Sequence, residues 1–467
     1  MVEKSRLLSG AAVILLCQIC GYGLSFIRNM ILARLIGPED FGTGAILALV
    51  LSAFEFSSDL GFGRYLVVSQ NGEEPGLQKT IHSLMLVRSL VASLVLYLSA
   101  GPIAGLFALE GSIWAFRWLA FAVFVTSLVH TDYWRVQRDF RFIPQAIIGI
   151  SEQVVSIVVG VTVAFFTRDF TAVLASLVAL PLTRAITSNL VAERSFGFGW
   201  NRKEARNFLN FGIPICVAGV FVFGGMSGDR LLISTAYPSK FVGMLTVCYT
   251  LLQTPATAIE ILYVRIQTPL LAKMPPGSQL FIKLYEKCTG LLSCAAGCLV
   301  ILGALFSEYL IVGLYGTEYN GCADFIGWVS TVCAIRLVRV GLSQIAISKG
   351  DTLTALIANV ARCAGLAGLS IFVLKGFSLD VFLAGSAMCE GLVFLITALR
   401  LFQVHGVPLR STVRGSVPVV LGTLTTLPIS LNSGIAFIYV YLAALVSLSL
   451  IIYWTYRIVS VELNTQT

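Results

Sequence analysis

Apolar runs long enough to cross about 30 Å of hydrocarbon as α-helices, roughly 20 residues each, recur from one end of the chain to the other. Short polar joins separate them. The pattern predicts fourteen helices, over residues 9–27, 42–67, 81–109, 113–133, 143–167, 170–192, 208–228, 241–264, 284–313, 322–348, 353–374, 381–399, 415–431 and 434–456. The joins carry turn and breaker residues: Gly37-Pro38, Asn71-Gly72, Pro275-Pro276-Gly277 and Asn432-Ser433-Gly434. Membrane strands would alternate in segments of about ten residues, a period these unbroken runs lack. The expected fold is all-α and polytopic. Lys4 and Arg6 precede the first run, and no small-residue cleavage site follows a short apolar stretch, so an uncleaved first helix is expected.

Composition agrees with lipid as the main solvent: 57% of the 467 residues are apolar and 12% are charged, against about a quarter charged in ordinary soluble domains. Charge also orients the chain. With the N-terminus in the cytoplasm, the cytoplasmic joins hold about three times as many Lys and Arg as the opposite ones, as the positive-inside rule requires. Both termini are then expected on the cytoplasmic side of the membrane. The net charge of +8 is mostly this orientation signal, with some attraction to anionic lipid, and calls for no nucleic-acid partner.

Residues 28–44 and 229–244 echo one another. At an offset of 200, Leu32 meets Leu232, Pro38 meets Pro238 and Phe41 meets Phe241; at 201, Asp59 and Arg64 meet Glu260 and Arg265. Each segment joins the first two helices of a six-helix block, which suggests parallel repeats with a substrate path at their interface. The expected organisation is an N-terminal six-helix bundle (1–192), a cytoplasmic linker (193–207), a C-terminal six-helix bundle (208–403) related to the first by pseudo-two-fold symmetry, and two additional helices with a cytoplasmic tail (404–467).

Ionisable groups inside spans are costly and usually face a bundle interior or a water-filled cavity. This chain keeps Arg64, Arg88, Arg117, Arg184, Arg336, Arg339 and Arg362 there, with Glu55, Asp59, Glu152, Glu260 and Glu390. Arginine suits a phosphate group because its planar fork donates paired hydrogen bonds and stays charged when desolvated. Arg336 and Arg339 share a helical face, and Arg28 and Arg64 lie at the ends of helices 1 and 2. These four are the substrate-binding candidates; Asp59, Glu260 and Glu390 are the ion-coupling candidates. Each arginine could instead snorkel to the interface, and each acid could simply hold a neighbouring arginine. Cys17 and Cys20, the scattered single cysteines, and His82, His130 and His405 point to no metal or cofactor.

The stretches RNMILARLIGPEDFG (28–42), FSSDLGFG (56–63), QRDFRF (137–142), FGIP (211–214) with DRLLIS (229–234), and LYGTEY (314–319) resemble, in order and spacing, the polysaccharide transporter (Wzx-like oligosaccharide flippase) family of the multidrug/oligosaccharidyl-lipid/polysaccharide superfamily. The resemblance implies a transporter rather than an enzyme. Its cargo would be an undecaprenyl-diphosphate-linked oligosaccharide moved across a bacterial cytoplasmic (inner) membrane for exopolysaccharide, capsule or O-antigen assembly. Polysaccharide polymerase and co-polymerase membrane proteins are the implied partners. A cation-coupled multidrug antiporter of the same superfamily and a peptidoglycan-precursor flippase are the alternatives. The longest extramembrane join, 193–207, is short and basic and offers no platform for a glycosyltransferase.

Overall fold

In a computed structural model, which describes residues 2–430 and Ser447, the described chain runs as helices in the order α1 (Val2–Ser58), α2 (Phe62–Val68), α3 (Pro75–Leu106), α4 (Ile113–Val125), α5 (Asp132–Val136), α6 (Ile143–Thr167), α7 (Thr171–Leu190), α8 (Arg202–Ala236), α9 (Ser239–Ala272), α10 (Gln279–Leu305), α11 (Ser307–Tyr315), α12 (Ala323–Ser348), α13 (Thr352–Leu374), α14 (Leu379–His405) and α15 (Leu409–Ser430). Among the described residues, eleven helical segments are long and apolar enough to cross a membrane. The first of them, Val13–Val68, contains two of the expected spans. They are divided at Gly37, whose φ of 79° only glycine adopts readily, with Pro38 opening the second arm. The eleven segments therefore hold the first twelve expected spans. The thirteenth corresponds to α15, and the fourteenth, 434–456, lies outside the described residues.

Two compact units divide the chain, Met1–Gly243 and Met244–Thr467. Compactness counts α8 with the first unit, because it packs along α1, whereas the sequence echo places it at the start of a second repeat. Within the first unit α6 packs on α1 and α7, α3 on α4, and α4 on α7. Within the second, α12 packs against α10, α14 and α15, and α13 against α14. The window of α12 is 83% buried and that of α13 only 22%, so α12 is a central strut and α13 presents an apolar outer face. Leucines, valines and phenylalanines standing outward, among them Val158, Phe166 and Leu374, suit hydrocarbon rather than water.

The first unit gathers three joins at one end. Asn201 caps α8 by accepting from the backbone N–H groups of Lys203 and Glu204, Asn71 donates to Glu204 at 2.9 Å, and Arg138 donates to the carbonyls of Leu66 and Ser69. In the second unit Lys349 Nζ closes on the carbonyls of Leu271 and Met274, and His405 Nε2 lies 3.1 Å from the Asp351 carboxylate that caps α13.

Candidate functional site

The second unit concentrates charge around one acid. Arg336 and Arg339, three residues apart on α12, both turn to Glu390 on α14: Nε of Arg336 donates to Oε1 at 2.8 Å and Nε of Arg339 to Oε2 at 2.9 Å. From α13, Arg362 Nε comes within 3.3 Å of Oε1, while its terminal nitrogens donate to the carbonyl and hydroxyl of Ser386 at 3.0 and 2.8 Å. All four side chains are 8% exposed or less. In a medium of low dielectric such an assembly persists only if its members satisfy one another. The arrangement holds several guanidinium forks in fixed orientation around a single carboxylate. Glu260, half-buried on α9, lies within electrostatic reach of Arg339 and makes no hydrogen bond among the described residues.

The first unit carries a different arrangement. Arg28 is 9% exposed, and its donors meet neutral oxygens: Ser156 Oγ at 3.0 Å, Asn29 Oδ1 at 3.3 Å and Ser25 Oγ at 3.4 Å. Ser156 and Ser176 then tie α6 to α7, each hydroxyl donating to the other's backbone carbonyl, at 3.1 and 3.2 Å. Ser25 also lines a groove of about 280 Å³ between α1 and α6, where Gln18, Gln145, Glu152 and Gln153 stand among apolar residues such as Ile14 and Phe142. Glu152 is fixed by a two-pronged pair with Arg184, at 2.6 and 3.0 Å. Arg184 faces a second cavity, of about 290 Å³, together with Glu55, Asp59 and Arg88.

The candidates are thus separated. Arg336, Arg339 and Glu390 come together, and Arg28 lies beside the Ser156 hydroxyl. Asp59 borders the second cavity and accepts from the Gly61 N–H at 2.9 Å. Arg64 is exposed on α2 and makes no hydrogen bond or ion pair among the described residues. Arg362 and the Glu152–Arg184 pair were visible in the sequence only as ionisable groups within spans; their partners lie 24 to 32 residues away and follow no local spacing.

At the gathered end of the first unit, outside the spanning segments, Asp132 receives Arg135 Nε at 2.6 Å and the Glu193 N–H at 2.8 Å. Burial pushes the Asp132 carboxyl up, and these hydrogen bonds outweigh it and hold the group below the usual carboxylate range. Glu193 is held low by hydrogen bonds from Arg141 and Arg135. Glu73 lies near Arg135, Arg138 and Arg194 at 3.4 to 3.6 Å. His82 stacks on Phe196 and meets the Thr131 hydroxyl at 2.9 Å. This network ties the joins together and is structural.

A sequence model of the family described as polysaccharide biosynthesis protein matches residues 31–324. The chain belongs to that family. The match agrees with the resemblance to polysaccharide transporters carried by the loop motifs. The teichuronic acid biosynthesis protein TuaB of Bacillus subtilis (strain 168) is 20% identical over 294 residues, 62% of this chain and 61% of that protein. The succinoglycan biosynthesis transport protein ExoT of Rhizobium meliloti (strain 1021) is 25% identical over 214 residues, 42% of each chain. The matched region therefore spans less than two thirds of either relative. Among solved structures, the lipid II flippase MurJ in an inward closed conformation shares a TM-score of 0.65 at 14% identity, covering 95% of this chain and 98% of MurJ. An inward-facing multidrug-resistance transporter of the MATE family scores 0.63 at 15% identity, covering 84% of this chain and 96% of its own. These two likenesses establish the fold.

Proposed function

We propose that this polysaccharide biosynthesis family member is a flippase that carries an undecaprenyl-diphosphate-linked oligosaccharide from the inner to the outer leaflet of the cytoplasmic membrane by alternating access, supplying exopolysaccharide, capsule or O-antigen assembly. The observation that carries this reading is Arg28. A guanidinium buried among helices, hydrogen-bonded among the described residues only to hydroxyl and amide oxygens, costs several kcal/mol to keep there. The cost is explained if an anion of the substrate meets it during transport. A diphosphate suits the fork of an arginine, and the polyprenyl tail can remain in lipid while the head crosses.

Arg336 and Arg339, oriented by Glu390, would take the same anion in the second unit, and Arg64 would contact it near the membrane surface. Asp59, Glu260 and Glu390 are the carboxylates available to carry a coupling proton or sodium ion. Polymerase and co-polymerase proteins would consume the product on the far side. The test is polymer export in a strain lacking its own flippase, complemented with Arg28→Gln, Arg64→Gln, Arg336→Gln and Arg339→Gln at matched expression. Export should fall in each, and lysine should restore it in part. Normal export by all four glutamine variants would remove the proposed diphosphate path.

A further inference from the structure

The second cavity of the first unit has a composition that the diphosphate does not explain. Glu55 near the end of α1 and Asp59 in the turn just after it border it with Arg88 from α3, Arg184 from α7, and the rings of Tyr133 and Trp134 from α5. Its volume of about 290 Å³ is at the lower end for small-molecule pockets.

The donors in its wall are already engaged. Arg184 is held by Glu152. Arg88 donates to the Ser58 carbonyl at 3.0 Å, to the Ser58 hydroxyl at 3.0 and 3.2 Å, and to Ser89 and Thr126 at 3.3 Å. The acceptors are not. Glu55 is exposed to the cavity and makes no hydrogen bond or ion pair among the described residues, and Asp59 accepts a single backbone N–H through Oδ1. Arg184 and Arg88 both lie within electrostatic reach of Glu55, although Arg184 is shared with Glu152, so positive charge already stands beside the acids while hydrogen-bond donors to them do not. Aromatic surface completes the wall. Tyr133 and Trp134 stand with centroids 4.7 Å apart, and the indole is seated against backbone at Gly63, where a Cβ would lie 2.5 Å from it.

Free carboxylate acceptors beside flat aromatic faces match one chemical class: a ligand whose hydroxyls donate and whose C–H face is apolar, which describes a pyranose. An organic cation would also seek acids and rings, but Arg88 and Arg184 share the cavity and repel it. We infer that this cavity, bordered by Glu55, Asp59, Tyr133 and Trp134, is a monosaccharide subsite that reads the sugar of the translocated lipid. The inference rests on the flippase reading above and adds to it a separate place for the glycan.

The test measures binding to the full-length protein in detergent, with four probes: undecaprenyl diphosphate without sugar, and the same lipid bearing glucose, galactose or N-acetylglucosamine. Wild type should bind at least one glycosylated lipid more tightly than the bare one. Glu55→Gln and Trp134→Ala should each weaken that binding about ten-fold, the scale of a lost charged hydrogen bond, and leave the bare lipid unchanged. Trp134→Phe should retain most of the affinity, and equal thermal unfolding temperatures would show that the variants fold. An equal loss for bare and glycosylated lipid would overturn the sugar subsite while leaving the diphosphate path intact. Binding of tetraphenylphosphonium that Glu55→Gln abolishes would overturn it in favour of a cation site. If wild type binds none of the four lipids, the flippase reading itself fails.

Discussion

Gly42 and Gly243 press backbone to backbone. A Cβ on Gly42 would stand 1.8 Å from the carbonyl oxygen of Ser239, and a Cβ on Gly243 would stand 2.0 Å from that of Pro38. Both residues lie in the first compact unit, and they stand 201 residues apart, the offset that pairs Asp59 with Glu260. The contact is therefore reciprocal, each glycine meeting the carbonyl of the residue four positions before the other. Because the obstructing atoms are backbone, no side chain can swing aside. Gly42→Ala and Gly243→Ala are each expected to cost about 1–3 kcal/mol as overpacking, read as a lower unfolding temperature in detergent. A cysteine placed at Ser239 should become more reactive in the Gly42→Ala background. Unchanged stability and reactivity in both would mean that the hairpins are not held this closely.

Acid should loosen the gathered end of the first unit before the helices melt. Asp132 and Glu193 have carboxyls depressed in the folded state, so their stabilisation is complete above the ordinary carboxylate range, about 4, and is lost as pH falls through their lower folded values. Asp132→Asn should cost on the order of 2 kcal/mol at neutral pH, from hydrogen bonds to a charged group, and should flatten this acid limb. A variant with an unaltered stability-versus-pH curve would show that the pair with Arg135 contributes nothing.

Removing Glu390 should be far more damaging than removing one of its arginines. Glu390→Gln leaves Arg336, Arg339 and Arg362 facing one another at side-chain exposures of 8% or less, an imbalance worth about 3–5 kcal/mol. Adding Arg362→Met should recover part of the loss, so a double-mutant cycle should give a coupling energy of roughly 0.5–3 kcal/mol. Strict additivity would mean that the three cations do not share the acid.

Much of this architecture is legible in sequence because lipid imposes it. A run of apolar residues has little alternative to a helix in hydrocarbon, so the first twelve expected spans and the Gly37-Pro38 break correspond to observed segments. The facing of Arg336 and Arg339 also follows from their spacing. Their shared partner does not: Glu390 is 51 residues beyond Arg339, and the meeting depends on how α12 and α14 pack. The five-residue spacing of Asp59 and Arg64 gives no pair, because the backbone turns at Gly61 (φ 69°) before α2 begins and Asp59 bonds that turn instead. The unpaired acceptor at Glu55 and the ring of Trp134 become neighbours only through the packing of α1 with the segments after α4.

Sidedness is open to direct labelling. Single cysteines in a cysteine-free background should be reactive from the cytoplasm at Ser195 and Ser278, and from outside at Ser239 and Thr317. Ser195 sits at the gathered end with Lys79 and Arg194, the end where the charge bias is strongest. Labelling of Ser195 and Ser239 from the same side would overturn the proposed orientation and the repeat together.

The central claim is that buried arginines carry a lipid-linked anionic head across the membrane, and flipping by the purified protein in vesicles tests it most directly. The measured quantity is the rate at which undecaprenyl-diphosphate-linked sugar changes leaflet, compared between wild type, Arg28→Lys, Arg28→Gln and protein-free vesicles, with a potassium potential set by valinomycin. Two negative charges crossing 100 mV gain about 4–5 kcal/mol, at about 2.3 kcal/mol per charge. The rate should therefore rise when the side the lipid leaves is made negative, stay intermediate in Arg28→Lys, and fall at least ten-fold in Arg28→Gln. A wild-type rate equal to that of protein-free vesicles, or an Arg28→Gln rate equal to wild type at every potential, would contradict the account.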